Sequence, residues 1–353
     1  MTTIQIDVGP MNSIRGLHET LGRGLREYRN NYRIGLRPEV VFYSKELIAG
    51  QVNISCLAIL LAAAERLRIY TSRSSSFKVN WNPNLFTFLY DIGFFEYTKT
   101  LDILHIDDEK MGGFQTSATN PNTRIIYFPE ISNWSDEASQ RNEQKDRLRS
   151  TVRDKLIFRC GEIFKPPKHG FAISTDLRDQ ILITTAELVV NSNLWGKSSA
   201  FVALQRSGTR ITVSVSDAGV GFTGSLEPKK GKTKRLRNSS RSNDDINNIG
   251  LGSIMNEEGF GLRRAVDGVV AASGWVHIST HSAAIVWRRV NWAVWKDDVR
   301  NDPEAKNELA THLSTAVADG LLDKAGYSRF SDPLRGSRVV FEIPLNAKGK
   351  NHG

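Results

Sequence analysis

Three short motifs between residues 187 and 262 constrain this 353-residue chain more than any other feature of its sequence. The first, residues 187–191, closes an apolar run with helical character. The second, residues 217–221, directly follows the alternating segment 211–215, which predicts a half-buried strand. The third, residues 259–262, places two glycines before another helical pattern. Each motif alone is common, so their order and context carry the interpretation.

The first motif supplies an acid and an amide. On a helix, a spacing of four residues puts Glu187 and Asn191 on one face. A carboxylate there can orient water, and an amide oxygen one turn away can bind a metal ion. Mg²⁺ prefers such oxygen ligands, keeps several waters and bridges phosphates. The alternative is a solvated helix face.

The second and third motifs supply an acceptor and free main-chain donors. Gly219 and Gly221 permit close backbone approach, and Asp217 can accept a hydrogen bond from an exocyclic amine such as that of adenine. Gly259 and Gly261 precede a helix, so backbone N–H groups and the positive end of the helix dipole can face phosphate. A plain turn is the alternative for the second motif.

Together, the motifs resemble the N, G1 and G2 boxes of the GHKL ATPases, the family of gyrase, mismatch-repair ATPases and histidine kinases. Residues 336–345 resemble the closing Gly-Thr strand of that family, with Ser337 where a threonine hydroxyl usually helps to hold the base. The resemblance covers roughly residues 138–347. It implies a GHKL (Bergerat) α/β sandwich over residues 136–347, in which helices pack on one face of a mixed sheet.

The resemblance also implies Mg²⁺-dependent ATP binding, with slow hydrolysis that drives a conformational or partner switch. Glu187 would be the catalytic group that polarises water, and Asn191 would hold Mg²⁺. The nucleotide-binding set would be Asn191, Asp217, Gly219, Gly221, Gly259, Phe260, Gly261, Leu262 and Ser337. Two alternatives stay open: a protein serine kinase of the anti-sigma-factor type, and an ATP-binding regulatory module without turnover.

One departure disfavours a sensor histidine kinase. Many kinase-type members place a histidine four residues after the asparagine, where this chain has Trp195. No upstream segment offers a histidine on a heptad-patterned helix of the dimerising kind. Phosphotransfer to protein is therefore less supported than hydrolysis.

The positive charge of the chain is concentrated between the second and third motifs. Seven cations supply most of the formal net charge of +9. They are Lys229, Lys230, Lys232, Lys234, Arg235, Arg237 and Arg241. Residues 224–248 lack periodicity and are interpreted as a mobile loop, and the family carries its lid at this place, about 222–258 here. A basic lid suits a triphosphate or nucleic acid, whereas the alternative is a solvated segment.

Residues 1–135 alternate strand and helix patterns, which predicts a second, smaller α/β domain. Expected elements include a strand at 40–43, a strong helix former at 55–68 capped by Asn53 or Ser55, and a final strand at 124–129. The region resembles a STAS-like domain, which implies a protein partner. In partner-switching systems such domains carry a phosphoacceptor serine, and Ser55 occupies the comparable place; a plain helix cap is the alternative.

The remaining expectations come from composition and from apolar runs. Cys56 and Cys160 lie in apolar settings and are predicted to be reduced core thiols. The histidines form no ligand-spaced cluster, so no structural metal is expected. The lack of a bilayer-length apolar run and of a signal-peptide pattern predicts a cytoplasmic protein without membrane contact.

The segment at about 291–330 is extra to a minimal GHKL core, and a helix is expected to begin in it near Asp302. Residues 348–353 are expected to form a tail. Lid-swapped dimers recur in the GHKL family, so the resemblance leaves both a monomer and a homodimer open for this chain.

Overall fold

The structure is a computed structural model with two β-sheets, one parallel and one antiparallel, and helices around both. The α/β class that the sequence predicts is therefore confirmed. The residues that it describes are 2–106, 122–165, 171–221, 241–254, 262–303, 305 and 308–345.

The first sheet is parallel throughout and has the order β1-β2-β3-β4. Its strands are β1 (Thr3–Asp7), β2 (Glu39–Ser44), β3 (Ser75–Val79) and β4 (Leu104–Ile106). Parallel neighbours need crossover connections. Here these are α1 (Ile14–Arg33), α2 (Ile54–Thr71), α3 (Pro83–Asp91) and α4 (Phe94–Thr100), with a short 3₁₀ turn at Ala49–Gln51.

Polar caps and one glycine set the helix boundaries of this first unit. The Asn53 side chain caps α2 by accepting a hydrogen bond from the Ser55 backbone N–H at 2.9 Å, which decides between the two predicted caps. Asn82 caps α3 in the same way, before Pro83 in the first turn. Gly93, at φ +86°, then ends α3 and starts α4, because a left-handed conformation is cheap only for glycine.

The second sheet is antiparallel throughout and has the order β5-β6-β7-β9-β8. Its strands are β5 (Thr123–Phe128), β6 (Ala200–Arg206), β7 (Arg210–Ser216), β8 (Trp275–Trp287) and β9 (Tyr327–Pro344). The expectation of a mixed sheet is thus wrong. The strand predicted to end the first domain is β5, and it pairs with β6 of this second sheet instead.

Six helices belong to the second unit in the described part of the chain. They are α5 (Ala138–Phe164), α6 (Thr175–Leu194), α7 (Arg241–Ile254), α8 (Leu262–Ala271), α9 (Arg289–Asn301) and α10 (Leu309–Ala318). Two of these helices differ from what the sequence predicted. Part of the loop predicted at 224–248 is helix α7, anchored by the fully buried Ile246 and Ile249. A helix was expected to begin near Asp302. Instead, α9 ends at Asn301, directly before that residue, and the next helix, α10, begins at Leu309.

Both faces of the second sheet are covered. Val202 and Leu204 face the core beneath α5 and α6, whereas Phe201 and Ala203 face a core shared with the first unit. On that side α2 packs on β6 and β7, and α1 packs on β9. The expectation of helices on one face only is therefore wrong. The physical reason is α2 itself: a helix that is apolar all round must be buried all round.

The cysteines and tryptophans lie in these cores. Cys56 and Cys160 are buried free thiols, as predicted, and burial raises the pKa of each to about 12. Trp287, Trp292 and Trp295 are buried, with the first two rings 4.9 Å apart. Among the helices of the described ranges, none combines the length and the apolar character that a bilayer crossing needs.

Candidate functional site

Helix α6 carries the first motif. Ser174 caps the helix by accepting a hydrogen bond from the Leu177 backbone N–H at 3.2 Å. Glu187 and Asn191 follow one turn apart near the other end. Glu187 is only 6% exposed, whereas Asn191 is half-buried and its side chain makes no hydrogen bond within the described residues. A free amide oxygen of this kind suits Mg²⁺, which takes few protein ligands and keeps waters.

Glu187 is held by an arginine of α5. Arg149 Nε donates to Glu187 Oε1 at 2.7 Å and Nη2 donates to Oε2 at 3.2 Å, while Asp146 accepts from the same guanidinium. Burial raises the pKa of the Glu187 carboxyl above its usual value, and Arg149 opposes that shift. Glu187 is therefore a carboxylate with raised basicity in a fixed orientation.

Asp217 is the point where three distant segments meet. Its Oδ1 accepts from the backbone N–H groups of Gly219 at 2.9 Å and Ser337 at 3.2 Å. Its Oδ2 accepts from the hydroxyl of Ser192, on α6, at 3.1 Å. Burial of the side chain, which is 3% exposed, raises the pKa of Asp217, and these hydrogen bonds oppose the shift. The carboxylate thus ties the turn after β7 to α6 and β9.

Glycines make this close assembly possible. A Cβ at Gly219 would lie 2.0 Å from the carbonyl oxygen of Gly196, at the end of α6. A Cβ at Gly336 would lie 2.0 Å from the carbonyl oxygen of Asp217. Gly221 has φ +69° and approaches Thr280 of β8. Only residues without a Cβ allow these backbones to touch.

Ser337 joins the site through its main chain. Besides the bond from its N–H to Asp217 Oδ1, its carbonyl oxygen accepts from the Asp217 backbone N–H at 3.0 Å. Leu262, at the start of α8, is buried in the core beneath the sheet. Gly259, Phe260 and Gly261 lie outside the described residues, as do most of the basic lid and the tail at 348–353.

A cleft of about 570 Å³ opens beside Glu187, between α6 and α8. Arg264 of α8 lines it and favours the ionised form of Glu187. The two helices pack closely, because a Cβ at Gly268 would lie 1.9 Å from Gln180 Nε2. Within the described ranges, no group of three or more acidic, histidine or cysteine side chains is placed to hold a metal ion.

Ser55 lies far from solvent. It is fully buried in the first turn of α2, and its hydroxyl has no hydrogen-bond partner. Phosphorylation at this position would require α2 to leave its place between the two sheets. The cap role belongs to Asn53, and the accessible phosphoacceptor that the STAS-like resemblance implies is not present in this state.

Sequence reasoning missed several residues of the site. Ser192 directly follows Asn191 on the same predicted helix, so the sequence could have indicated it as a neighbour of the proposed site. Arg149 and Arg264 carried no signal, because their contacts with Glu187 arise only when α5 and α8 pack against α6. In comparisons with known proteins, the chain matches no family model, no curated protein and no solved structure.

Proposed function

We propose that the second unit binds Mg-ATP beside α6, the turn after β7 and the start of α8, and hydrolyses it slowly as a GHKL-type ATPase. One observation carries this proposal. The buried carboxylate of Asp217 is bonded to α6 through Ser192 and to β9 through Ser337, so three segments that are distant in sequence meet at one carboxylate. A turn that only connects two strands would not require hydrogen bonds to both α6 and β9.

The base end of the site is Asp217. The hydroxyl of Ser192 uses one lone pair of Oδ2, and a carboxylate oxygen can accept a further bond from an exocyclic amine. Adenine presents an amine at its six position, whereas guanine presents a carbonyl oxygen there, which a carboxylate repels. The geometry therefore favours adenine over guanine.

The phosphate end lies toward Glu187. Ser192 follows Glu187 by five positions on the helix, which corresponds to about 7.5 Å along the axis. Asn191 lies between them with its amide free to bind Mg²⁺, which would neutralise phosphate charge when bound. The main chain at Gly259 and Gly261 would donate to phosphate oxygens before α8.

The reaction then follows from position. A water beside Glu187 attacks the γ-phosphorus, the bond from that phosphorus to the β–γ bridging oxygen breaks, and ADP leaves. The proton of the water passes to the Glu187 carboxylate and from there to solvent. Arg149 fixes the carboxylate in place, so catalysis rests on positioning and electrostatics.

A second function is favoured by the same ion pair. Both oxygens of Glu187 accept bonds from Arg149, so in this state the carboxylate is already engaged. If this pairing makes Glu187 too weak a base to take a proton from water, the chain is an ATP-binding regulatory module without turnover. Measurement of phosphate release separates the two functions.

Replacing Asp217 by asparagine tests the site. The asparagine oxygen can still accept from Gly219 and Ser337, and its amide can donate to Ser192, but that amide would face the adenine amine with a donor. ATP affinity is expected to fall by about 30- to 100-fold, the effect of an unsatisfied buried group. Calorimetry on the purified chain measures it.

The matched control is Glu65→Gln. Glu65 is also a buried carboxyl, bonded to the hydroxyls of Tyr127 and Ser199 between α2 and the second sheet. This variant is expected to bind ATP like the parent chain. A folded Asp217→Asn chain that binds ATP with unchanged affinity would contradict the assignment of the base site.

A further inference from the structure

A second hollow lies on the other face of the second sheet, behind the Asp217 turn. It has a volume of about 250 Å³ and is enclosed by α1, α2, the turn after β7 and the segment of β9 before Gly336. Its floor is apolar, with Leu25, Leu67, Ala218 and Leu334 among the lining residues. An apolar floor of this size accommodates a ring rather than an ion alone.

The walls of the hollow are aromatic. Tyr28 and Tyr32 come from α1, with ring centroids 6.0 Å apart, and Tyr70 comes from the end of α2. Tyr32 and Tyr70 are 40% and 58% exposed. Arg37 covers one face of the Tyr32 ring at 3.8 Å, and Arg66 covers one face of the Tyr70 ring at 4.6 Å. The other face of each ring provides stacking surface for a planar ligand.

Four arginines line the same hollow: Arg29, Arg33, Arg66 and Arg335. Within the described part of the chain, none of the four forms an ion pair with a carboxylate. Arg335 Nη1 donates to the Tyr70 hydroxyl at 2.8 Å, and Arg66 Nη2 donates to the same oxygen at 3.3 Å. Arg66 Nε is buried without a partner.

The cluster is electrostatically unfavourable by itself. Burial, then the charges of Arg33 and Arg335, lower the pKa of the Arg29 guanidinium. Asp332 acts in the opposite direction on Arg29, but it is paired with Arg26 at 2.6 Å. A bound anion would remove the repulsion between the arginines, and guanidinium groups bind phosphate in a bidentate fashion.

We propose that this arginine–tyrosine pocket binds a small ring-bearing phosphate of the nucleoside monophosphate class, at a site separate from the ATP site. The phosphate lies against Arg66 and Arg335, and the ring lies on the apolar floor between the tyrosines.

The position of the pocket couples it to the Asp217 turn. Ala218 of its floor directly follows Asp217, and Arg335 precedes the Gly336 backbone that touches the Asp217 carbonyl oxygen. A ligand in the pocket therefore contacts the reverse side of the proposed base site. This coupling, unlike the binding itself, rests on the proposed ATP site, and we expect the ligand to change ATP affinity several-fold.

The test uses the full chain carrying Asp217→Asn, so that nucleotide binding at the proposed ATP site is weakened. The probes are the four ribonucleoside 5′-monophosphates, phenyl phosphate, inorganic phosphate and the uncharged nucleosides, titrated by calorimetry. At least one ring-bearing phosphate is expected to bind at one site per chain, about tenfold more tightly than inorganic phosphate or the nucleosides.

Adding Arg66→Gln and Arg335→Gln is expected to weaken that binding by about 20-fold or more, because two charge-assisted hydrogen bonds are lost. Arg15→Gln combined with Arg23→Gln, at two exposed positions elsewhere on α1, is the charge-matched control and should leave it unchanged. The proposal is overturned if no ring-bearing phosphate binds, if inorganic phosphate binds as tightly, or if binding survives the double replacement in a folded chain. Monophosphate binding together with no uptake of ATP by the unmodified chain would uphold the pocket and reject the ATP site.

Discussion

Phosphate release from ATP is expected to fall by about 100- to 10,000-fold when Glu187 is replaced by glutamine, the range typical of losing a general base. Glutamine keeps the shape of the side chain, and its oxygen can still accept from Arg149. It cannot take a proton from water at neutral pH. ATP affinity is expected to stay within about threefold, because the carboxylate acts on water and not on the nucleotide.

The measurement pairs steady-state phosphate release with calorimetry on the same protein. Glu143→Gln is the matched control, because Glu143 lies on the exposed surface of α5 and pairs with Arg147. It makes the same charge change and is expected to keep full turnover. Equal turnover in the Glu187→Gln chain and in the parent would remove the catalytic assignment. ATP binding without turnover in the parent chain would favour the regulatory module.

The second large effect concerns stability in acid and rests on a buried histidine. His18 of α1 stacks on Phe330 with ring centroids 3.8 Å apart. Its Nε2 lies 2.8 Å from the His281 carbonyl oxygen, and its Nδ1 lies 3.2 Å from Arg338 Nη1. Because arginine only donates and a carbonyl only accepts, both contacts are satisfied by the neutral ring alone. Burial, and then the charge of Arg338, lower the pKa of His18 to about 2.

The sign of the pH dependence follows from linkage. Below the unfolded pKa of 6.5, the unfolded chain binds a proton at His18 that the folded chain does not bind until about pH 2. His18 therefore stabilises the fold fully above pH 6.5, and this contribution is lost as the pH falls, at about 1.4 kcal/mol per pH unit. Burial also lowers the pKa of His277, to about 4, so it acts in the same direction. Carboxyls with raised pKa, such as Glu65, act in the opposite direction.

Comparison with His18→Gln isolates the effect, because glutamine can accept from Arg338 and donate to the His281 carbonyl but cannot be protonated. Between pH 6.5 and 4.5 the parent chain is expected to lose about 2 kcal/mol of unfolding free energy relative to the variant. Urea unfolding across that range measures the difference. Parallel stability curves for the two proteins would mean that His18 is not buried in its neutral form.

The sequence predicted several local elements correctly. Helix α6, the strand before Asp217 and the helix α2 all follow from apolar periodicity and from cap chemistry. Apolar periodicity and cap residues act within a single helix or strand, so the local sequence is enough to predict that element. The spacing of Glu187 and Asn191 is set by the helix that carries both residues.

What the sequence did not predict depends on contacts between distant segments. Strand β5 has the same pattern whichever sheet it joins, so its pairing with β6 could not be read from residues 123–128. Helix α7 is polar in sequence and is fixed by the burial of two isoleucines. The ion pair between Arg149 and Glu187 exists because α5 packs on α6, and no spacing in the sequence encodes it.

If Asp217, α6 and the glycine turn form one adenine-nucleotide site, calorimetry of the unmodified chain will detect it. With Mg²⁺ present, we expect saturable binding of one ATP per chain, weaker binding of GTP, and weaker binding of ATP when the metal is removed by a chelator. A chain that is folded and takes up no ATP in Mg²⁺ buffer would contradict the assignment of this site.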